Sequence, residues 1–370
     1  MGVDRRRFLG AMGVGAGLLM TGGTAEAAAA TRRVFFGAYT TWSGGAKGIG
    51  IGTYDTVSGQ LKTTGVISGV VNPSFVIESR DGRFLYAVNE NTKGEVTAIN
   101  AATLKVINKQ ATGGADPCHL TLDPSGKYLI TADYSSGSLS VFPVNLDGSL
   151  GARTQKVQHK GSGPNKERQE GPHAHHIVFD PAGRYAAAVD LGADSVFVYS
   201  FTGGKLTQVS QAKVKPGAGP RHIAFHPDGK TAYVANELDS TIVTCAYANG
   251  KLTPGQVLKT APSGGPTNYP AEVLVSADGR YVYLSNRGHD SVAHFAVGGS
   301  GLTMLGTTAV GGKYPRHITF DPTGSFLFAA NQNSNNVTSF AVDRVMGKLT
   351  PSGTPLQTAI PVCVLPTRLG

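Results

Sequence analysis

From Gly219 to Tyr247 the chain reads GPRHIAFHPDGKTAYVANELDSTIVTCAY, with apolar positions in short runs broken by turn residues. Ile223 and Phe225, followed by Ala232 to Ala235, predict two short strands. Between them Asp228-Gly229 supplies the positive φ that a tight hairpin needs. Asp239-Ser240 makes a second turn, and Ile242, Val243, Cys245 and Tyr247 predict a third strand. Gly250-Lys251-Leu252-Thr253 then turns the chain into a fourth. One four-stranded antiparallel unit cannot bury its own apolar face, so copies of it are expected to stack.

The copies are present. With the turn glycine as origin, Gly82, Gly126, Gly183, Gly229, Gly279 and Gly324 sit in matching surroundings, 44, 57, 46, 50 and 45 residues apart. That is close to the roughly 40–50-residue period of propeller blades. A proline lies nine positions before most of them, at Pro73, Pro117, Pro220, Pro270 and Pro315. The last ten residues, PVCVLPTRLG, keep the same register with Pro361 nine before Gly370, but they hold a first strand and no second. The missing strands are at the other end, in Val34 to Tyr39, Ile49 to Tyr54 and the segment after Gly59-Gln60-Leu61. The fold class expected is therefore all-β, a seven-bladed β-propeller of four-stranded antiparallel blades whose last blade is assembled from both termini.

Residues 1–30 read as an address. Arg5-Arg6-Arg7-Phe8-Leu9 resembles the twin-arginine export motif, an apolar stretch runs to about Met20, and Ala25-Glu26-Ala27 is an A-x-A cleavage pattern. The apolar part is too short for a stable membrane span. Residues 31–370 are read as one propeller domain, secreted or periplasmic after cleavage and no longer held at a membrane. The net charge is +9, of which the leader region carries +1, and no lysine–arginine stripe interleaves with aromatics. That composition argues against nucleic-acid binding but draws anionic ligands. Cys118, Cys245 and Cys363 are odd in number and lack ligand spacing, so buried free thiols are expected and zinc is not. The longest separation, 57, places an insertion in Val157 to Gly171, and such a loop carries function as readily as it fills solvent.

The register also sorts the candidate chemistry. Seven positions before the glycine stand Phe75, His119, His176, His222, Glu272, His317 and Cys363, a repeat feature suited to packing and hydrogen bonding. One position earlier the set is irregular: Ser74, Cys118, His175, Arg221, Ala271, Arg316 and Val362. Eight positions after the glycine come Glu90, Tyr134, Leu191, Glu237, Arg287 and Gln332, with Thr40 by alignment. The start of a blade's first strand and the end of its second lie at one edge, so both irregular sets should ring one mouth of the central channel. His175, Arg221, Glu237, Arg287 and Arg316 would meet there, with Glu90 and Tyr134 nearby. Histidine and glutamate can move protons, and arginines bind anions bidentately or stabilise an oxyanion. The alternative is that these charges merely pair with one another. No G-x-S-x-G elbow occurs, and Gly48-Ile49-Gly50-Ile51-Gly52 lies in a strand pattern with no helix after it.

Three stretches, GPHAHHIVFDPAGRYAAAVDLGADSVFVY, GPRHIAFHPDGKTAYVANELDSTI and YVYLSNRGHDSV, make the chain resemble the bacterial lactonase family of seven-bladed propellers. That family includes one type of 6-phosphogluconolactonase and the fungal carboxy-muconate lactonizing enzyme. The resemblance covers essentially the whole chain after the leader. It implies a catalytic histidine, glutamate and two arginines at His175, Glu237, Arg221 and Arg287. His173 is the alternative histidine, because P-H-A-H-H is ambiguous by two residues. It also implies no metal and no organic cofactor. The expected reaction is hydrolysis of a sugar-acid or other carboxylated lactone. Glu237 or His175 would activate water, Arg221 and Arg287 would hold the anionic end, and His173, Arg316, Glu90 and Tyr134 would contact substrate. The partner expected is that small anionic lactone, and the protein is expected to be a monomer. The competing expectation is a non-catalytic secreted propeller that binds a glycan, peptide or surface polymer.

Overall fold

A computed structural model describes residues 30–299 and 301–368; the stretch expected to be an export signal lies, but for residue 30, outside them. Seven four-stranded antiparallel sheets follow one another around a central channel. In chain order, blade 2 runs from Val76–Glu78 to Lys105–Ala111, blade 3 from Pro117–Leu122 to Gln155–Gln158, and blade 4 from Ala174–Phe179 to Lys205–Lys213. Blades 5, 6 and 7 begin at Pro220–Phe225, Tyr269–Val275 and Pro315–Phe320. Blade 1 takes its innermost strand from Pro361–Pro366 and its other three from Thr31–Ala38, Gly48–Asp55 and Leu61–Ser68. Val34 pairs with Pro366, Phe35 with Leu365 and Phe36 with Val364, so the two termini close the ring as the repeat register requires. Among the described residues no helix is long and apolar enough to cross a membrane.

Each blade buries both faces against its neighbours. Between blades 4 and 5, Val189, Val196, Val198, Ile223, Val234, Val243 and Tyr247 form one such layer, all under a tenth exposed. The alternation of side chains along a strand gives each sheet one set of apolar residues for each neighbour. Turn residues fix the hairpins: Gly229 has φ +67°, and Gly250, at φ +76°, lies so close to the Tyr185 ring that a Cβ there would fall 2.8 Å from it. The three cysteines are buried and not in disulfides. The insertion is shorter than its sequence suggests. Gln155–Gln158 pairs with Val141–Ser138 as the outer strand of blade 3, so the loop begins at His159 rather than Val157.

One irregularity decides what faces the channel. In blades 3, 4, 5 and 7 the register slips between Pro117 and His119, Ala174 and His176, Pro220 and His222, and Pro315 and His317. The bulged residues are Cys118, His175, Arg221 and Arg316. In a regular strand consecutive side chains point to opposite faces; a bulge re-aims one of them. Arg221 and His222, like Arg316 and His317, therefore line the same small cavity on the axis, about 10 Å³ in volume. The consequence is two tiers of side chains, a charged one at the mouth and a histidine-rich one beneath.

Candidate active site

The lower tier is a packed plug. Phe75 meets His119 at 4.2 Å between ring centroids, His119 meets His176 at 4.1 Å, and His176 stacks on His222 at 4.3 Å. Glu272 accepts from His222 Nδ1 at 2.9 Å and pairs with His317 Nε2 at 3.6 Å. Burial, with the neighbouring imidazoles and arginines, holds His119, His176 and His222 well below the usual histidine range. Their environment favours the neutral form, which suits rings packed against one another. His176, His222 and Glu272 each offer a ligand atom within 4.8 Å of the others, the one set of this kind among the described residues. Its carboxylate is already engaged by two histidines.

The upper tier is centred on Glu237, at the end of the second strand of blade 5. Its amide donates to Gly219 O at 2.7 Å, which ties the strand end to the start of the same blade. Oε2 accepts from Arg287 Nη2 at 2.6 Å and lies 3.3 Å from Arg221 Nε, while Oε1 accepts from Arg168 Nη2 at 2.7 Å. Burial pushes the Glu237 carboxyl up, but Arg287, Arg221 and Arg168 outweigh it and bring it down to about 2. Arg287 is fixed from behind, donating through Nε to Tyr269 O at 3.0 Å and lying over the Tyr314 ring. Arg221 differs: it is 2% exposed, yet its Nε and Nη1 make no hydrogen bond. Burial and the charges of Arg287 and Arg316 bring it down to about 9.

His175 stands beside this cluster, its ring 5.7 Å from Tyr134 and 5.2 Å from His222. Its Nδ1 is buried with no partner, and burial together with Arg221 holds it well below the usual histidine range. His173 is tied off instead: it stacks on Tyr134, its Nδ1 lies 3.1 Å from Tyr134 O, and its Nε2 lies 3.1 Å from Glu170. Of the two histidines left open by the sequence, His175 is thus the one with an unpartnered ring nitrogen and within the influence of the Arg221 charge. Tyr134 accepts from Arg168 at 3.3 Å. Glu90 and Arg316 form a separate group across the channel, 3.7 Å apart, with Tyr39 donating to Glu90 Oε1 at 2.7 Å.

Residues 33–366 match the family model described as lactonase, 7-bladed beta-propeller. The chain belongs to that family. A 6-phosphogluconolactonase of Bacillus subtilis is 37% identical over 340 residues, covering 89% of this chain and 97% of that protein. Among solved structures, a putative 6-phosphogluconolactonase from Bacteroides fragilis superposes with a TM-score of 0.84 at 36% identity, over 90% of this lactonase-family chain and 97% of the other. The Pseudomonas aeruginosa periplasmic gluconolactonase gives a TM-score of 0.84 at 32% identity, over 90% and 98%.

The sequence reading of this lactonase-family propeller missed Arg168. It sits on the insertion, where Asn165 accepts from the Glu167 and Arg168 amides, and the buried Gln169 side chain donates to Leu191 O and Asp194 Oδ1. That anchor aims the neighbouring guanidinium inward, where pairing with Glu237 outweighs burial and raises its proton affinity. The 57-residue separation was the available signal; the register cannot see a residue outside the repeat. Tyr39 was likewise missed, because the alignment of the N-terminal strands pointed to Thr40.

Proposed function

We propose that this protein is an exported lactonase that opens a small anionic lactone, sugar-acid or otherwise carboxylated. The observation that carries the reading is Arg221, a buried guanidinium whose Nε and Nη1 lack hydrogen-bond partners. Around it the mouth holds four arginines, Arg168, Arg221, Arg287 and Arg316, against two carboxylates, Glu90 and Glu237. A buried excess of positive charge is unfavourable until an anion offsets it. The relatives named for 6-phosphogluconolactone and gluconolactone support a sugar-acid lactone. The leader supports a substrate met outside the cytoplasm, as the periplasmic gluconolactonase name also does.

In this reading His175 is the base. Its Nδ1 has no hydrogen-bond partner, and an imidazole nitrogen so placed can take the proton of an attacking water and return it to the ring oxygen that leaves. The bond formed joins the water oxygen to the lactone carbonyl carbon, and the ring C–O bond breaks, giving the free acid. Arg221 and Arg287 hold the substrate anion or the carbonyl oxygen as it gains charge. Glu237 has both oxygens engaged by Arg287, Arg221 and Arg168, and so orients the three arginines rather than receiving a proton. The test is a panel of phosphorylated, carboxylated and neutral lactones offered to residues 31–370 and followed by acid release. Anionic members should be opened, and His175→Asn should lower kcat by roughly 10²–10⁴-fold with the melting temperature kept. His222→Asn, in the plug, should cost more stability than turnover. Failure of every lactone to open, or an active His175→Asn, would overturn the assignment.

A further inference from the structure

Opposite the Glu237 cluster the mouth carries a feature the proposed hydrolysis does not use. Trp42, the chain's one tryptophan, stacks on Tyr39 with ring centroids 4.4 Å apart and planes 5° from parallel. Tyr39 is 4% exposed whereas Trp42 is 49% exposed, so the pair presents one broad indole face to solvent over a buried ring. The Arg316 guanidinium also lies over Tyr39, 5.7 Å from its centroid. The backbone beneath the platform is pinned. Asn72 Oδ1 accepts from the amides of Thr40 and Thr41 at 2.8 and 3.1 Å, and the Gly45 amide donates to Trp42 O at 2.8 Å. Beside it, Glu90 gives Oε1 to Tyr39 and Arg316, while its Oε2 has no hydrogen-bond partner.

Ring order sets the distance between the two groups. Tyr39 and Trp42 follow the second strand of blade 1, Glu90 follows that of blade 2, and Arg316 opens blade 7. Glu237 and Arg221 belong to blade 5, Arg287 to blade 6, and His175 to blade 4. In a ring of seven, blade 1 faces blades 4 and 5 across the channel. A ligand reacting at His175 reaches the indole only by spanning the mouth.

We infer that Trp42, Tyr39 and Glu90 form a second subsite that takes a further sugar ring of an extended aldonolactone, a lactone bearing a glycosidic substituent. The inference rests on the lactonase reading for its reacting end and on the platform for its distal end. A flat aromatic face suits the C–H face of a pyranose, and the partly exposed Glu90 carboxylate beside it suits its hydroxyls. A distal phosphate would be repelled by Glu90, and a purely apolar group would leave the Glu90 carboxylate unmatched. The pinned backbone lowers the ordering cost of binding there.

The test compares lactobionolactone, which carries a galactosyl ring, with gluconolactone, which does not; both are uncharged, so 6-phosphogluconolactone is run beside them as the anionic reference. The wild type should favour lactobionolactone in kcat/KM. Trp42→Ala should reduce that preference about tenfold, the scale of a stacked ring contact, and Trp42→Phe should restore part of it. Because Trp42 is the sole indole, lactobionic acid should change the intrinsic fluorescence at concentrations where gluconic acid does not. Gluconolactone turnover with no preference for the larger lactone, and none altered by Trp42→Ala, would overturn the subsite and leave the lactonase reading standing. Saturable fluorescence change with lactobionic acid but no turnover of any lactone, phosphorylated and carboxylated ones included, would uphold the subsite and sink the hydrolase.

Discussion

Replacing Glu237 by glutamine keeps its shape and removes the charge that gathers Arg168, Arg221 and Arg287. Arg168 is partly exposed at the side chain and can turn into water; Arg221 and Arg287 are under 5% exposed and cannot. Breaking a buried ion pair from one side costs about 3–5 kcal/mol. Titration gives a separate route to the magnitude. The Glu237 carboxyl drops from 4.5 to about 2 on folding, which is worth about 3 kcal/mol. At about 2 °C per kcal/mol for a chain of this length, Glu237→Gln should melt roughly 6–10 °C below the wild type at pH 7. The sign with pH follows from the depressed carboxyl. Its contribution is complete above pH 4.5 and is lost as pH falls toward 2, so the gap between the two proteins should close over that window. Inorganic phosphate should stabilise the variant more than the wild type, since the unpaired arginines then seek an anion. Scanning calorimetry of both proteins from pH 2 to 7, with and without phosphate, measures all three effects. A variant within about 1 °C of the wild type at pH 7 would refute the claim that Glu237 holds the arginines together.

Deleting Ala359 to Gly370 removes buried Ile360, Val362 and Val364 and leaves Thr31–Ala38 as an open edge. At roughly 1.5–3 kcal/mol per side chain the loss is about 5–9 kcal/mol, and a truncated protein with an unchanged melting temperature would contradict closure by the termini. Replacing Arg5 and Arg6 together by lysine should keep the protein inside the cell, checked by fractionation; normal secretion would mean the leader is misread. Chelation should leave lactone hydrolysis intact. Activity lost to a chelator and restored by a divalent ion would instead direct attention to His176, His222 and Glu272.

The blades were legible because their signal repeats: a turn glycine and apolar alternation recur from copy to copy, with a proline nine residues before the glycine in all but the Gly183 copy. The mouth residues were legible for a related reason. Positions that break the pattern within a regular array stand out, and the β-bulge at Cys118, His175, Arg221 and Arg316 explains why those positions, rather than their neighbours, carry it. What the repeat could not convey was whatever enters from outside it. Arg168 comes from an insertion with no counterpart in other blades, and its aim depends on Gln169 reaching Asp194, a tertiary contact. Nor could spacing separate the roles of Glu237 and His175. That distinction depends on which side chain the arginines surround.

The closing strand also imposes an order on synthesis. Ala38 leaves the ribosome 323 residues before its partner Pro361. At about 5–20 residues per second the first blade waits about 15–65 seconds, its Val34-Phe35-Phe36 edge unpaired throughout. Six blades can form behind it, yet none of them satisfies that edge. The nascent chain therefore carries a sticky strand for nearly the whole of translation, the kind of surface that chaperones engage. A premature stop within the last dozen codons would release a chain almost full in length and permanently in that state.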